Sequence, residues 1–300
     1  MLHHPTHGDP AASAPDGDTK PEWNVRLGKT LNMTLNMTPG VDEEQPSNNF
    51  LRAFARGIRV ICAFDQENPR MTVSQVAERT GLTRANARRI LLTLQTLGYV
   101  SLDGRLFGLR PRVLEIGYAY LSSLDLSFFA QPIIDDLVER TRLPCNLAML
   151  DNDEIIYVLR SSTPHGPAAP IPLNVGRRFP AYVTSMGRVL LGALPDDELD
   201  AYLVRAEIQK LTAKTLVDKR QLKKAIKSDG ARGWSFVAGE QADWIASIAV
   251  PVHDAAGKTI ASIGMGWFVG SVPDKAMIDK LLPELKRAAQ AIEANIKAKK

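Results

Sequence analysis

Cysteine is scarce: the 300 residues hold two, Cys62 and Cys145, each in an apolar context. A disulfide is not expected, and both should be buried, reduced thiols. No apolar run approaches the roughly 18 residues that span a bilayer. No apolar signal core is visible at the N-terminus either, where MLHHPTHGDPAASAPDGD is polar throughout. No membrane contact is expected, and the chain should be cytoplasmic.

The tools of common enzymes are missing too. No Gly-x-Ser-x-Gly occurs, since Val183 stands at the first glycine position before Ser185. A phosphate-cradling glycine loop with lysine and a His-Glu-x-x-His motif are likewise absent. His165 and His253 sit in turn-like contexts without a nucleophile or metal partner, and His253 should be an exposed turn residue. His3, His4 and His7 have no other ligand type nearby, so only adventitious metal binding is expected of them. No catalytic residue, metal site or cofactor is expected, and no enzyme.

What the chain does have is an uneven distribution of charge. Residues 1–49 carry three basic and seven acidic side chains, a balance of −4. Residues 50–112 carry eleven basic and four acidic, a balance of +7, and every one of the eleven is arginine. Residues 113–300 are nearly neutral, with 23 basic and 22 acidic side chains. An arginine excess confined to one stretch suggests a polyanionic partner, because the planar guanidinium fork fits phosphates and guanine edges. A merely solvated basic face is the alternative on charge alone.

Composition is otherwise that of an ordinary globular protein, at 45% hydrophobic and 23% charged, and the length suits about two domains. Residues 1–48 are rich in Pro, Gly, Asp, Asn and Thr and read as a disordered tail. In FLRAFARGIRVICAF, Leu51, Phe54, Ile58 and Ile61 recur every three or four residues, which predicts a helix buried along that stripe. Thr72-Val-Ser-Gln75 has capping-box spacing and Gly81 suits a helix C-terminus. Thr83 then caps a third helix, TRANARRILLTLQTLG. Its Ala87, Ile90, Leu91, Leu94 and Leu97 form an inner stripe, with Arg84, Ala85, Arg88 and Arg89 opposite. YVSL and RLFGL follow as a hairpin turning at Asp103-Gly104.

Helix, helix, turn, helix and hairpin within residues 49–110 make a winged helix-turn-helix. The third helix fits the major groove, and Thr83, Arg84, Ala85, Asn86, Arg88 and Arg89 are the candidate DNA contacts, with Arg105 on the hairpin. A solvated helix face is the alternative for the arginines. Residues 111–125 read as an amphipathic linker helix opened by Pro111. From 126 a helix ends at Pro144, then strands at NLAML and EIIYVLRSS flank Asp151-Asn152-Asp153. A Pro/His/Gly loop (164–172), helices at 184–194 and 196–205, three strands and a charged helix from 274 complete an α+β domain with an antiparallel sheet.

The stretches ARGIRVICAF, ARRILLTLQTLGYV, LEIGYAYLSSLDLSFFAQP and PAYVTSMGRVLLGAL resemble those of IclR-type regulators, nearest to the PcaR/PobR-like group that controls aromatic-acid catabolism in bacteria. The resemblance covers residues 50–297. It implies a GAF-like C-terminal domain (126–300) that binds a small organic acid, and a palindromic double-stranded DNA operator. It also implies dimers through the DNA-binding half and tetramers through the sensor half, with RNA polymerase as a further partner. Positions matching the family's ligand contacts are Thr184, Ser185, Met186, Ile245, Ser247, Gly264 and Gly266.

Two physical arguments agree with that placement. A helix start at Thr184 offers N–H groups to a carboxylate, and strand alternation puts Ile245 and Ser247 on one face with Gly264 and Gly266 beside them. The sequence also departs from the family. Many relatives place an arginine where Ala246 stands, and relatives that bind small polar acids place Ser or Cys at Gly264 and Gly266. A roomier, less polar pocket with Met149, Trp244 and Trp267 as further lining is therefore expected, suiting an aromatic or bulky acid. Plain core packing is the alternative for both tryptophans. An enzyme, or a DNA-organising protein indifferent to ligand, is the competing reading of the whole.

Overall fold

The structure, a computed structural model, describes residues 49–163 and 174–298. The expected tail, His3, His4, His7, His165 and the 164–172 loop lie outside the described residues.

The N-terminal elements are helix α1 (Arg52–Cys62), strand β1 (Arg70–Met71), helices α2 (Val73–Thr80) and α3 (Arg84–Thr96), and strands β2 (Val100–Asp103) and β3 (Leu106–Leu109). Thr72 and Gln75 close the capping box on α2 in both directions. Gly81 ends α2 at φ 66°, a left-handed conformation that costs a residue without Cβ little. Thr83 accepts the Asn86 N–H and so starts α3. Val60, Met71, Val76, Ala87, Leu91, Leu94 and Phe107 pack into one small core beneath these elements.

Four expectations fail here for local reasons. Leu51 and Phe54 stay 75% and 71% exposed, because only the C-terminal end of α1, with Ala63 and Phe64 after it, reaches the core. Leu97 is exposed at the C-cap of α3, where the stripe has run past the core. Cys62 is exposed rather than buried, on the far side of α1 from Val60. The hairpin tip is Gly104-Arg105, one residue later than expected, since Asp103 still pairs with Leu106. β1 was also unforeseen: two residues, Arg70 and Met71, pair with Gly108 and Phe107 and make the wing a three-stranded sheet.

A 3-10 turn at Pro111–Val113 leads into α4 (Leu114–Ser123), which buries no residue in the single chain. Its expected amphipathic face is therefore uncovered, with Leu114, Ile116, Tyr118 and Tyr120 exposed. α5 (Asp125–Thr141) ends on Arg142 at φ 59°, two residues before Pro144.

The remaining strands are β4 (Cys145–Asp151), β5 (Glu154–Ser161), β6 (Arg178–Pro180), β7 (Ser235–Ala238), β8 (Ile245–His253) and β9 (Thr259–Phe268). They form one antiparallel sheet in the order β6-β5-β4-β9-β8-β7. α5 and the C-terminal helix α9 (Asp274–Ala298) cover one face, packing Ile134, Leu137, Leu281, Leu285 and Ile292 on Leu147, Leu159, Ile248, Val250, Ile263 and Trp267. His253 is no free turn residue: it ends β8 and meets Glu293 of α9 at 2.6 Å.

α6 (Ser185–Gly192) lies across the other face of the sheet, with α7 (Asp196–Arg205) and α8 (Lys219–Arg232) outside it. α8 and β6 were not foreseen. In KRQLKKAIKSDGAR only Leu222 and Ile226 are buried apolar residues, a stripe too thin to announce itself. Two close approaches demand glycine. A Cβ on Gly187 would stand 2.1 Å from the Ala181 carbonyl oxygen, and one on Gly230 would stand 2.5 Å from that of Gly192 where α6 and α8 cross.

Candidate nucleic-acid interface and ligand cavity

α3 presents two unlike sides. Ala87, Leu91 and Leu94 are buried, whereas Thr83, Arg84, Ala85, Arg88 and Arg89 are exposed and Asn86 is half-buried beside its cap. None of Arg84, Arg88 and Arg89 has an acidic partner among the described residues. Nearby charge is handled differently: Arg79 is tied to Asp65 at 2.5 Å, and Arg70 to Asp103 at 2.7 Å. The Arg70 pair neutralises the one carboxylate next to the wing tip, so the exposed Arg105 projects from the hairpin with its positive charge unanswered.

Between the start of α6 and the sheet lies a cavity of about 60 Å³. Its wall contains Thr184, Ser185 and Met186 from the helix start, Ile245 and Ser247 from β8, and Gly264 and Gly266 from β9. Thr184 takes the Gly187 N–H for itself at 2.9 Å. The N–H groups of Ser185 and Met186, which have no partner within the helix, belong to residues of the wall. Across the cavity the Ser185 hydroxyl donates to that of Ser247 at 2.9 Å. A buried ion pair holds this arrangement together: Arg188 of α6 donates to Glu240 at 2.7 Å, in the turn just before Gln241, which also lines the cavity.

The two glycines do not act alike. A Cβ on Gly264 would meet the Met186 side chain and the Ile248 carbonyl at 2.9 Å, so Met186 already occupies the space that Gly264 opens. At Gly266 the nearest atoms are 3.4 and 3.9 Å away. At about 60 Å³ the cavity has room for a few waters, and anything as large as a ring requires side chains to shift. Met186, unbranched and with three rotatable bonds, is built for such a shift.

Met149, Trp244 and Trp267 are not in the wall. Met149 points to the other face, packs against the main core and accepts a hydrogen bond from Tyr120 of α4 at 3.6 Å. Trp244 is half-buried against Phe268, with ring centroids 5.9 Å apart. Trp267 is core: it stacks on Phe236, and its indole N–H reaches Asp274 at 3.2 Å. Ala246 also faces the core, fully buried, so a side chain there says nothing about carboxylate recognition in this chain.

Sequence reasoning missed Asn146, Tyr157, Arg160 and Gln241, all in the wall. Asn146 and Arg160 stand opposite each other on β4 and β5. The β4–β5 register slips between Leu147 and Ala148, so Tyr157 and Arg160, three residues apart, share the cavity side. Strict alternation would have put them on opposite faces, and the bulge brings them together. Burial pulls the Arg160 guanidinium below the ordinary arginine value and pushes the Tyr157 phenol above its own. Burial likewise pushes the Cys145 thiol up to about 12, so it is an inert core group.

The wall offers hydroxyls, amides, a guanidinium and apolar surface, but no histidine, carboxylate or thiol beside its serines. That suits binding an anion with an apolar body and gives Ser185 no general base. No group of metal-ligating side chains occurs among the described residues, and no helix among them is long and apolar enough to cross a membrane.

Comparison with known proteins agrees with this division of labour. Residues 53–104 match the IclR helix-turn-helix domain model, and residues 118–294 match that of the bacterial transcriptional regulator IclR C-terminal domain. The Pca regulon regulatory protein of Pseudomonas putida is 40% identical over 242 residues, 81% of this chain and 83% of that protein. The p-hydroxybenzoate hydroxylase transcriptional activator of Acinetobacter baylyi is 32% identical over 257 residues, 85% of this chain and 95% of that protein. Among solved structures, an IclR homologue from Microbacterium hydrocarbonoxydans, complexed with 4-hydroxybenzoate, superposes with a TM-score of 0.71 at 21% identity, covering 82% of this chain and 99% of its own. With both family models matched in sequence order, one over the helices and wing and one over the sheet domain that carries the cavity, the chain belongs to the IclR family of bacterial DNA-binding transcriptional regulators.

Proposed function

We propose that this regulator controls a catabolic operon by binding a small aromatic acid in the α6 cavity. The observation that carries the proposal is the cavity itself. A helix start with Ser185 and Met186 N–H groups, the facing Ser185–Ser247 hydroxyl pair and an apolar remainder combine anion recognition with apolar surface for a ring that enters as Met186 moves aside. The relatives support the aromatic choice, since one activates a p-hydroxybenzoate hydroxylase gene and another was solved with 4-hydroxybenzoate. Thr184, Ser185, Met186, Ile245, Ser247, Gly264 and Gly266 are the effector contacts in this reading.

α3 lies in the major groove, with Arg84, Arg88 and Arg89 reaching bases and phosphates and Thr83, Ala85 and Asn86 beside them. Arg105 touches the backbone. One winged helix covers too few base pairs for specific regulation, so two copies bind a palindrome. The exposed apolar residues of α1 and α4, Leu51, Phe54, Leu114, Ile116 and Tyr118, supply a surface for that pairing, and tetramers follow through the sensor halves. The division is 49–110 for DNA, 111–125 for the linker and 126–300 for the sensor. The protein acts in the cytoplasm, is no enzyme and meets RNA polymerase at its promoters.

The test is a thermal-shift and calorimetric screen of hydroxybenzoates and dicarboxylates on the full chain, with operator binding read by gel shift. Stabilisation by an aromatic acid, without turnover and with altered operator affinity, is expected. No binding by any acid, or conversion of one, overturns the reading.

A further inference from the structure

Two buried polar atoms in the cavity wall have no hydrogen-bond partner: Arg160 Nη1 and Asn146 Oδ1. Asn146 is 94% buried, since only 6% of its surface is exposed. The two residues face each other across the β4–β5 pair, on the side toward α6. Buried polar groups are nearly always satisfied, and an unanswered one costs more than a typical hydrogen bond contributes. Two cross-strand neighbours lining one cavity, each with an unanswered polar atom, mark a place where a ligand completes the structure.

The electrostatics narrow the ligand. No carboxylate is paired with Arg160; the Tyr157 phenol is the group that raises its affinity for the proton, against a larger opposing effect of burial. Arg177 on the neighbouring stretch is likewise lowered by burial and has an unpartnered Nη2, whereas the most deeply buried guanidinium is answered. Arg188, 4% exposed, has Glu240 and the Tyr182 carbonyl. A half-sunk cation left without its anion is expensive to keep and pairs readily with one brought from outside.

From this geometry we infer that Arg160 is the carboxylate anchor of the effector site, while the neighbouring Asn146 Oδ1, an acceptor, takes a hydroxyl donor of the same molecule and not its carboxylate. This rests on the reading of the cavity as the effector site and goes further by fixing which end of the acid lies where. The carboxylate lies toward β4 and β5, and the ring extends beneath Met186 toward Gly266, where a Cβ would meet ordinary contact distances and not the clash found at Gly264. The hydroxyls and N–H groups at the start of α6 then hold the side of the ligand rather than bear its charge alone. A guanidinium presents parallel donors that match the two oxygens of a carboxylate, so the arrangement selects carboxylates over isosteric neutral groups.

The experiment is calorimetric titration of full-length wild type, Arg160→Gln and Arg160→Lys with 4-hydroxybenzoate and with its neutral counterpart 4-hydroxybenzamide. Wild type should prefer the acid. Arg160→Gln should weaken the acid by about ten- to a hundredfold, the range for losing one or two charge-assisted bonds, and leave the amide nearly unchanged. Arg160→Lys, which keeps the charge but not the fork, should recover part of the preference. Amide binding in each variant reports that the cavity has folded. An acid-to-amide ratio unchanged in both variants overturns the anchor while leaving the effector site standing. Failure of wild type to bind either probe overturns the site and the anchor together.

Discussion

The DNA-reading face and the ligand cavity use arginine in opposite ways. On α3 and the wing, Arg84, Arg88, Arg89 and Arg105 stand in water, where a charge costs little to hold and can be spent on any phosphate that arrives. In the C-terminal domain, Arg188 and Arg160 lie against the sheet, where a charge is costly and must be answered. The first arrangement gives strength that salt can screen. The second gives selectivity, because a buried guanidinium tolerates few partners. One fold thus keeps its solvated, unpaired arginines on one half and its buried, costly ones on the other.

The sharpest way to break the comparison is to unbalance the buried side. Glu240→Ala leaves Arg188 without its anion in a site where both side chains are under one-tenth exposed. The expected loss is about 3–5 kcal/mol, the usual cost of breaking a buried pair. Trp234, Trp244 and Trp267 all lie in the C-terminal half, so their fluorescence in a urea titration follows its unfolding. A loss below 1 kcal/mol would mean that water reaches Arg188 and that the pair is no structural tie. On the exposed side, Arg88→Ala or Arg89→Ala should cost about 1–3 kcal/mol on the operator and leave the urea midpoint in place. Quantitative gel shifts against operator and scrambled duplex check this, and unchanged affinity in both variants would remove α3 as the reader.

Ser185→Ala and Ser247→Ala sharpen the comparison further. Each removes one hydroxyl of a 2.9 Å pair, and each should weaken the effector about tenfold while sparing effector-free DNA binding. Gly264→Leu should do worse, since its side chain would meet both Met186 and the Ile248 carbonyl. Calorimetry with the acid found by screening decides. Unchanged affinity in both serine variants would move the site away from α6.

How much of this was legible beforehand differs between the halves for a physical reason. The capping box at Thr72–Gln75, the Gly81 stop and the Thr83 cap are local signals, and the structure contains all three. The exposed arginines of α3 followed from helical periodicity alone. The cavity is a long-range object. Its α6 and β8–β9 residues came from a family resemblance, helix-end chemistry and alternation. Tyr157 and Arg160 stayed hidden because the extra residue in β5 brings to one face two positions that plain alternation sets on opposite faces. The arginine absent at Ala246 bears on no ligand contact, because that position faces the core. α1 misled in another way: Leu51 and Phe54 have core periodicity but no core beneath them in a single chain.

The smallest expected effect concerns the wing. Arg105 sits at the tip of the β2–β3 hairpin next to Gly104, whose φ of 58° permits the tight turn. It has no base-reading helix behind it, and Arg70 has already neutralised the adjacent Asp103 at 2.7 Å. The tip therefore presents one unopposed positive charge on a short, firm stalk, which is what a phosphate contact requires. Each phosphate neutralised contributes about 0.9 to the slope of log affinity against log salt. Arg105→Ala should flatten that slope by about one and weaken operator and scrambled duplex by the same modest factor. Asp103→Ala should leave the slope near its original value or steepen it slightly, since Arg70 is then released. Gel shifts at several salt concentrations measure both variants. A loss confined to the operator, with the slope unmoved, would show that Arg105 reads a groove edge, and the wing would then share the discriminating work assigned here to α3.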